Sequence, residues 1–312
     1  MSVVVATRNR AKRLDALLRA LCKQSLGRDA FEVVVVDDES EDETAELLRR
    51  WTGDQRIALR ALRGRGAGPA ASRNDGWRSA RAELVAFTDD DCEPAPGWLE
   101  SLAVAAEPDG RCIVQGPTIP IPREEHRLAS RARTKSIATM GPWYQTCNML
   151  YPRELLECLG GFDERFSRPA AEDTDLAWRA IEAGASPRFA PAATVHHAVE
   201  PMSVWEAVRR GARDPDEALA FKRHRGLRAQ AGRAGIFKNP SHAWLSLALL
   251  GTSLARRHPA ALALALPYAR NLSRRSRDPG AGSFSAPVLA GHDLLELAAA
   301  IRGSIRHRTL AL

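Results

Sequence analysis

The sequence predicts a doubly wound α/β fold with a mainly parallel sheet, followed by an α-helical C-terminal extension. Three observations lead there. Short apolar, β-branched runs alternate with stretches of helical periodicity through residues 2–200, the pattern of strands joined by crossover helices. One of these runs, Leu84-Val85-Ala86-Phe87, has no polar alternation, as expected of a strand covered on both faces. That run leads through Thr88 into three successive carboxylates, Asp89, Asp90 and Asp91, and open α/β sheets gather ligands beyond the carboxyl ends of their strands.

Residues 2–6 read as the first strand, and Leu14, Leu17, Leu18 and Leu21 then fall at i, i+3, i+4 and i+7, the stripe of an amphipathic helix. Residues 31–36 are a second apolar run, closing on Asp37 and Asp38, and residues 40–51 resume helical character. A weaker strand at 56–62 leads into Gly64, Gly66, Gly68 and Pro69, with a helix over 70–80. The glycine run is read as a flexible loop. A dinucleotide fingerprint belongs at the first βα turn, where this chain has Thr7, Arg8 and Asn9. After the aspartates, Pro96-Gly97-Trp98-Leu99 opens a helix with proline at or near its first position. Residues 113–119 read as a strand, 120–136 as a polar and basic mobile loop or helix, and 145–151 as extended. Gly160-Gly161 reads as a turn, and Ala171-Glu172-Asp173 enters a helix that Gly184 ends.

With 45% apolar residues the chain carries enough for a real core. Its five cysteines are scattered without a CxxC pair, which favours reduced thiols over a disulfide framework or a zinc site. No secretory leader is expected, because Met1 runs at once into the first strand. The charge is unevenly placed. Residues 200–312 hold 18 Lys and Arg against 8 Asp and Glu, while residues 1–199 hold 27 against 30. Nucleic acid is not expected, since no motif for it is present and aromatics are 6%.

Within the basic third, residues 242–255 and 260–269 are strongly apolar. They fall short of the ~20 residues that span a bilayer and are interrupted by Pro259 and Pro267. Arg256, Arg257, Arg270, Arg274, Arg275 and Arg277 surround them. Two readings stay open: helices lying on an anionic membrane face, or a packed helical bundle or homodimer interface. Residues 273–286 read as a linker and 290–305 as a last amphipathic helix.

Three adjacent aspartates repel one another, so a cation, solvent or a raised pKa must relieve the charge. On an extended backbone Asp89 and Asp91 face one ligand and Asp90 points away, an Asp-x-Asp spacing suited to a hard cation such as Mg²⁺ shared with a substrate phosphate. The alternative is a solvated acidic turn ahead of a helix.

In chain order, the matching pieces are residues 3–9 with Arg10, EVVVVDDES at 32–40, ASRNDG at 71–76 and AFTDDD at 86–91. They continue with Asn148-Met149, GGFDE at 160–164, and Glu172-Asp173-x-Asp175-Leu176 with Arg179. Together they resemble the inverting nucleotide-sugar glycosyltransferases of family 2, with the GT-A fold. The resemblance implies a Rossmann-like GT-A nucleotide-sugar-binding and catalytic domain over residues 1–200, leaving 201–312 as a basic, apolar helical region. It implies that Asp38 contacts the nucleobase, that Ala6, Thr7 and Arg8 line the same pocket, and that Arg73 lies by the sugar nucleotide. Asp89 and Asp91 match the Asp-x-Asp that binds ribose and a divalent metal, Mg²⁺ or Mn²⁺, with Asp90 in the donor-binding set. His197 matches a histidine near the metal, and Asp173 matches the general base. Two departures stand out: Glu39 where the family more often has glycine, and Arg8 in place of a common tyrosine.

The partners so implied are a UDP-, GDP- or dTDP-linked donor and a glycan, lipid-linked or small-molecule acceptor, in polysaccharide, glycolipid or natural-product assembly. The expected location is cytoplasmic, peripheral on the inner face of the plasma membrane. A nucleotidyltransferase would share the sheet and acidic site, but no lysine-bearing glycine-rich loop follows the first strand. A non-catalytic nucleotide-sugar or membrane-binding module is the remaining alternative.

Overall fold

The valine runs near the start become neighbouring strands because nothing in them tolerates water: Val3, Val4, Val5 and Val33 to Val36 are all fully buried. The computed structural model describes residues 1–106, 111–129, 132–166, 171–210, 217–231, 237, 239–277 and 285–311. These fall into two units, Met1–Pro122 with Thr134–Ala198, and Arg123–Arg133 with Val199–Leu312.

The elements run β1 (Ser2–Thr7), α1 (Ala11–Leu21), β2 (Glu32–Asp37), α2 (Thr44–Gly53), β3 (Ala58–Arg63), α3 (Pro69–Ser79), β4 (Leu84–Phe87) and β5 (Cys92–Pro94). They continue with α4 (Trp98–Ala106), β6 (Cys112–Gln115), β7 (Thr118–Pro120), β8 (Ala132–Arg133), β9 (Met149–Pro152), α5 (Arg153–Leu159), α6 (Glu172–Glu182), β10 (Ser186–Phe189), β11 (Val195–His197) and β12 (Glu200–Pro201). The main sheet has the order β10-β6-β9-β4-β1-β2-β3. It is parallel except at β9, which runs antiparallel to both β4 and β6.

Alternation along the strands decides which helix covers which face. Val3, Val5, Val33 and Val35 pack into one core cluster with Leu14, Leu17, Leu18 and Leu21 of α1 and with Leu47, Leu48 and Trp51 of α2. Full burial of each such leucine is worth about 1.5–3 kcal/mol. Val4 and Val36 face the other way, toward α3, where a Cβ on Gly76 would collide with Val4 Cγ1. That glycine lets helix and sheet approach closely.

Four expectations shift. The strand expected at 113–119 splits at Gly116, where a Cβ would strike Ala193 O, and β7 joins a separate sheet of order β5-β11-β7. The helix expected from residue 40 starts at Thr44, because side-chain acceptors hold the preceding backbone N–H groups instead: Asp37 Oδ1 accepts from Ser40 N, and Asn9 Oδ1 from Glu41 N. Within 145–151 a 3-10 turn, Thr146–Asn148, precedes β9. The glycine run is tied down: Gly64 N donates to Asp37 O at 2.8 Å and Gly68 N to Asp38 Oδ2 at 3.0 Å.

In the second unit, β8 pairs antiparallel with β12, and Glu124 Oε2 accepts from Val199 N at 2.9 Å. The stretch expected as a mobile loop or helix thus holds a 3-10 segment, Pro122–Ala129, and an edge strand. Helices α7 (Val204–Arg210), α8 (Glu217–Arg223), α9 (Arg225–Ala231) and α10 (Pro240–Leu254) follow, then a 3-10 segment Pro259–Ala265, α11 (Leu266–Arg275) and α12 (Ala286–Arg306). Pro259 and Pro267 sit in the first turns of their elements, where a missing N–H costs nothing. Most of the linker expected at 273–286 lies outside the described residues. None of the described helices is long and apolar enough to cross a membrane.

Candidate active site

Beyond β4 the three carboxylates leave the strand's extended path, because Cys92 N donates to Asp89 O at 3.1 Å and closes a turn. The alternation that would set Asp90 apart from Asp91 is therefore not followed. Both face Arg10, whose Nη1 lies 3.6 Å from Asp90 Oδ1 and 2.6 Å from Asp91 Oδ2. Thr7 Oγ1 also donates to Asp90 Oδ2 at 2.8 Å. Burial pushes Asp90 up to about 7 despite the opposing pull of Arg10. Asp89 turns instead toward Arg73, 3.0 Å from Nη2, and keeps 27% of its side chain exposed. Burial would raise its pKa, but Arg73, then His197 and Lys135, hold it below the usual carboxylate range.

Arg73, on α3, also reaches Glu172 Oε1 at 2.9 Å, and its guanidinium lies 5.7 Å from the centroid of Phe162. One buried cation thus ties the acidic turn to the N-terminus of α6. Next to Glu172, Asp173 accepts from Thr174 N at 2.8 Å and from Thr146 N at 3.4 Å. Burial, and then the charge of Glu172, push Asp173 up to about 7 against the pull of Lys135 and Arg73. A carboxyl in that range exchanges protons near neutrality, which suits a general base. Trp178 and Arg179, further along α6, have structural partners: Trp178 Nε1 donates to Pro142 O, and Arg179 bonds Asp175, Leu159 O and Gly161 O.

His197 arrives through strand register. β11 runs antiparallel to β5 with His197 opposite Cys92, and Ala198 N donates to Asp91 O at 2.9 Å. His197 Nδ1 lies 2.9 Å from Ala198 O. A carbonyl only accepts, so the hydrogen sits on Nδ1, and Nε2 faces Asp91 Oδ1 at 3.5 Å. Nε2 is thus the ring atom turned toward Asp91, the one that a cation between the two side chains would take. The nearby Cys92 thiol is held protonated, since burial raises its pKa well above the usual value. Asp91 and His197, with Asp89 close enough to feel the imidazole, therefore fit a hard divalent ion, and Cys92 does not. His196 points away, with Nδ1 3.1 Å from Glu93 O.

At the neighbouring strand ends, Ala6 and Thr7 stand in register with Val36 and Asp37, and Arg8 follows on the exposed surface. Asp38 N donates to Thr7 O at 2.9 Å. Asp38 is buried, with Oδ2 taken by Gly68 N and Oδ1 without a hydrogen-bond partner among the described residues. Such an oxygen is an acceptor awaiting a donor. A Cβ on Gly64 would lie 2.9 Å from it, so glycine keeps that acceptor clear. Glu39, at the position where glycine is more common, takes φ 61 and so makes the same turn at the cost of a left-handed backbone.

Two basic residues were given no role by sequence reasoning. Arg10 could have been found by asking what neutralises three adjacent aspartates. Lys135 could not: it lies in no motif, and its nearness to Asp89 and Asp173 is visible only through its effect on both carboxyls.

The profile of the family described as glycosyl transferase family 2 matches residues 2–161. The chain belongs to that family. A validoxylamine A glucosyltransferase of Streptomyces hygroscopicus subsp. jinggangensis is 30% identical over 213 residues, covering 57% of this chain and 50% of its own length. A pre-mycofactocin glycosyltransferase of Mycobacterium tuberculosis is 32% identical over 218 residues, covering 63% and 42%. The chain spans about half the length of the curated relatives it matches. A mannosyltransferase from Pyrobaculum calidifontis, solved with GDP-Man and Mn²⁺, superposes with a TM-score of 0.60 at 23% identity, over 98% of this chain and 86% of its own. TarS residues 1–349 of S. aureus with UDP-GlcNAc gives 0.51 at 20%, over 99% and 92%. The fold is the GT-A fold.

In this family 2 chain the buried Arg73 carries a direct test. Arg73→Met deprives buried Glu172 and half-buried Asp89 of their shared cation and should cost ~3–5 kcal/mol in urea unfolding. Adding Glu172→Gln should restore part of that loss. Strictly additive losses in the double variant would mean that the two side chains are not coupled.

Proposed function

We propose that the chain is an inverting, metal-dependent glycosyltransferase that moves a sugar from a nucleotide-sugar donor to an acceptor hydroxyl. The observation that best supports this reading is the Asp89–Arg73–Glu172 bridge, which sets a carboxyl tuned to about 7, Asp173, beside the acidic turn. Asp38 would take the nucleobase on its unpaired Oδ1, with Ala6, Thr7 and Arg8 along the same pocket. Asp89, Asp91 and His197 would hold Mg²⁺ or Mn²⁺, whose contribution when bound is to neutralise charge on the departing diphosphate. Asp173 takes the proton of the acceptor hydroxyl as that oxygen bonds to the anomeric carbon and the bond from that carbon to the diphosphate breaks, inverting the centre. Arg73 and Asp90 shape the donor side by holding the acidic turn rather than by free contacts. Donors on UDP, GDP or dTDP, and glycan, lipid-linked or small-molecule acceptors, remain the proposed partners.

A peripheral attachment to an anionic membrane surface fits the second unit. Leu249, Leu250, Leu262 and Leu266 are 45%, 51%, 52% and 67% exposed, beside exposed arginines at 256 and 257 in a region of net positive charge. Each basic residue near such a surface is worth ~1 kcal/mol. Liposome flotation should therefore carry the full chain with phosphatidylserine vesicles at low salt and release it at high salt. Equal flotation on neutral vesicles would overturn the electrostatic part.

Donor binding should need a divalent ion, because a diphosphate approaching Asp89 and Asp91 otherwise meets like charge. Calorimetry with nucleotide sugars in Mn²⁺ and in EDTA checks this, and equal affinity in both would remove the metal from the account.

Asp173→Asn should retain donor affinity while transfer falls ~10²–10⁴-fold. In the parent, the transfer rate should rise with pH through about 7 as the carboxyl ionises. Its stability contribution has the opposite sign: a raised pKa favours the folded state below 3.8, and that contribution is lost between 3.8 and about 7. A variant with near-parental transfer would move the base role to Glu172 or Asp175.

A further inference from the structure

The second unit buries a set of polar groups that a helical core has no reason to hold. His242, on α10, is fully buried, and neither ring nitrogen has a hydrogen-bond partner among the described residues. Its Nε2 stands 3.2 Å from Glu296 Oε2 on α12. One turn back on α12, His292 Nδ1 lies 3.7 Å from that same Oε2 and 3.8 Å from Asp293 Oδ1. Asp293 is fully buried as well, and its Oδ1 also lacks a partner.

We propose that His242, His292, Asp293 and Glu296 form a binding site for one divalent transition-metal ion of the zinc class. Four donors bound at ~2.0–2.2 Å around a tetrahedral ion stand ~3.3–3.6 Å apart. The donor atoms of His292, Asp293 and Glu296 all lie within 4.8 Å of one another, with 3.7 and 3.8 Å from His292 to the two carboxylates, and His242 meets this trio at Glu296, 3.2 Å away. Two imidazoles with two carboxylates suit zinc, cobalt or nickel better than magnesium or calcium.

The surrounding groups orient the set. Asp293 Oδ2 accepts from Arg275 Nη1 at 2.7 Å and from Tyr268 OH at 3.1 Å, which leaves Oδ1 to face His292, as outer partners of metal-binding carboxylates do. Arg275 Nη1 is itself fixed by Ser241 Oγ at 3.0 Å, next in sequence to His242. The side chains of His292 and Glu296 keep 29% and 20% exposure, an entry path for an ion. Bound there, the ion would join α10 to α12, with α11 holding the carboxylate from behind. The residues lie apart from Asp89, Asp91 and His197 in sequence, and this site would hold its ion whether or not the chain transfers sugar.

The test uses the full chain carrying Asp91→Asn and His197→Ala, which removes the other candidate metal position. After chelator stripping, zinc loading and dialysis, mass spectrometry should find one zinc per chain, and cobalt in its place should give the intense visible bands of tetrahedral coordination. Adding His292→Ala, at a part-exposed position, or Glu296→Gln should weaken zinc binding by ~10–100-fold or more, abolish those bands and remove the zinc-dependent rise in melting temperature. Circular dichroism checks that both variants fold. Zinc content near zero in the starting protein, or unchanged in both variants, would overturn the site.

Discussion

A single buried guanidinium holds the first unit's candidate site together. Arg73 is 8% exposed and meets Glu172, 99 positions away, and Asp89, 16 positions away. Removing a charge of this kind from water costs several kcal/mol, recovered only if opposite charges with good geometry surround it. Both carboxylates lie within 3.0 Å, and their negative charge, outweighing burial, keeps the guanidinium protonated. The turn after β4 and the first turn of α6 are thus held by one electrostatic requirement, and the position of Asp173 follows from it.

The same requirement explains how three adjacent aspartates are tolerated. Each is relieved differently: Asp89 by Arg73, Asp90 by burial and the Thr7 hydroxyl, and Asp91 by Arg10 with His197 alongside. The result is an uneven set of carboxyls, with Asp89 held low and Asp90 high. Divided in this way, the acidic turn is stable without concentrating all its charge on one partner. Asp38 shows the complementary case, a buried acceptor with one oxygen satisfied by backbone and the other kept clear by Gly64.

The second unit rests on different physics. Among the described residues its helices bury few large side chains, and a small cluster joins Leu245, Ala248, Tyr268 and Leu297. Gly251 allows α10 to lie against the carbonyl of Ala261 in the following 3-10 segment. Beside that cluster stands the His242 to Glu296 group, whose polar contacts join α10, α11 and α12. Exposed leucines and a strongly basic charge accompany this cluster.

The order of strands and helices was legible in the sequence because hydrophobic period is a local property: four buried valines in β2, or the leucine stripe of α1, declare strand or helix without reference to anything distant. The acidic turn at the end of β4 was legible for the same reason, and Asp38 and Asp173 stood out as candidates once their motifs stood in order. Three things were not. The turn that presents Asp90 and Asp91 together to Arg10 depends on the Asp89 to Cys92 hydrogen bond, which overrides the alternation of an extended chain. The approach of His197 to Asp91 depends on the register of β11 against β5, across 105 positions of sequence. The bridging role of Arg73 and the nearness of Lys135 depend on which segments the sheet order brings side by side. Local periodicity determines the elements; only their packing decides which charges must share a buried space, because Coulomb energy depends on distance in space and not along the chain.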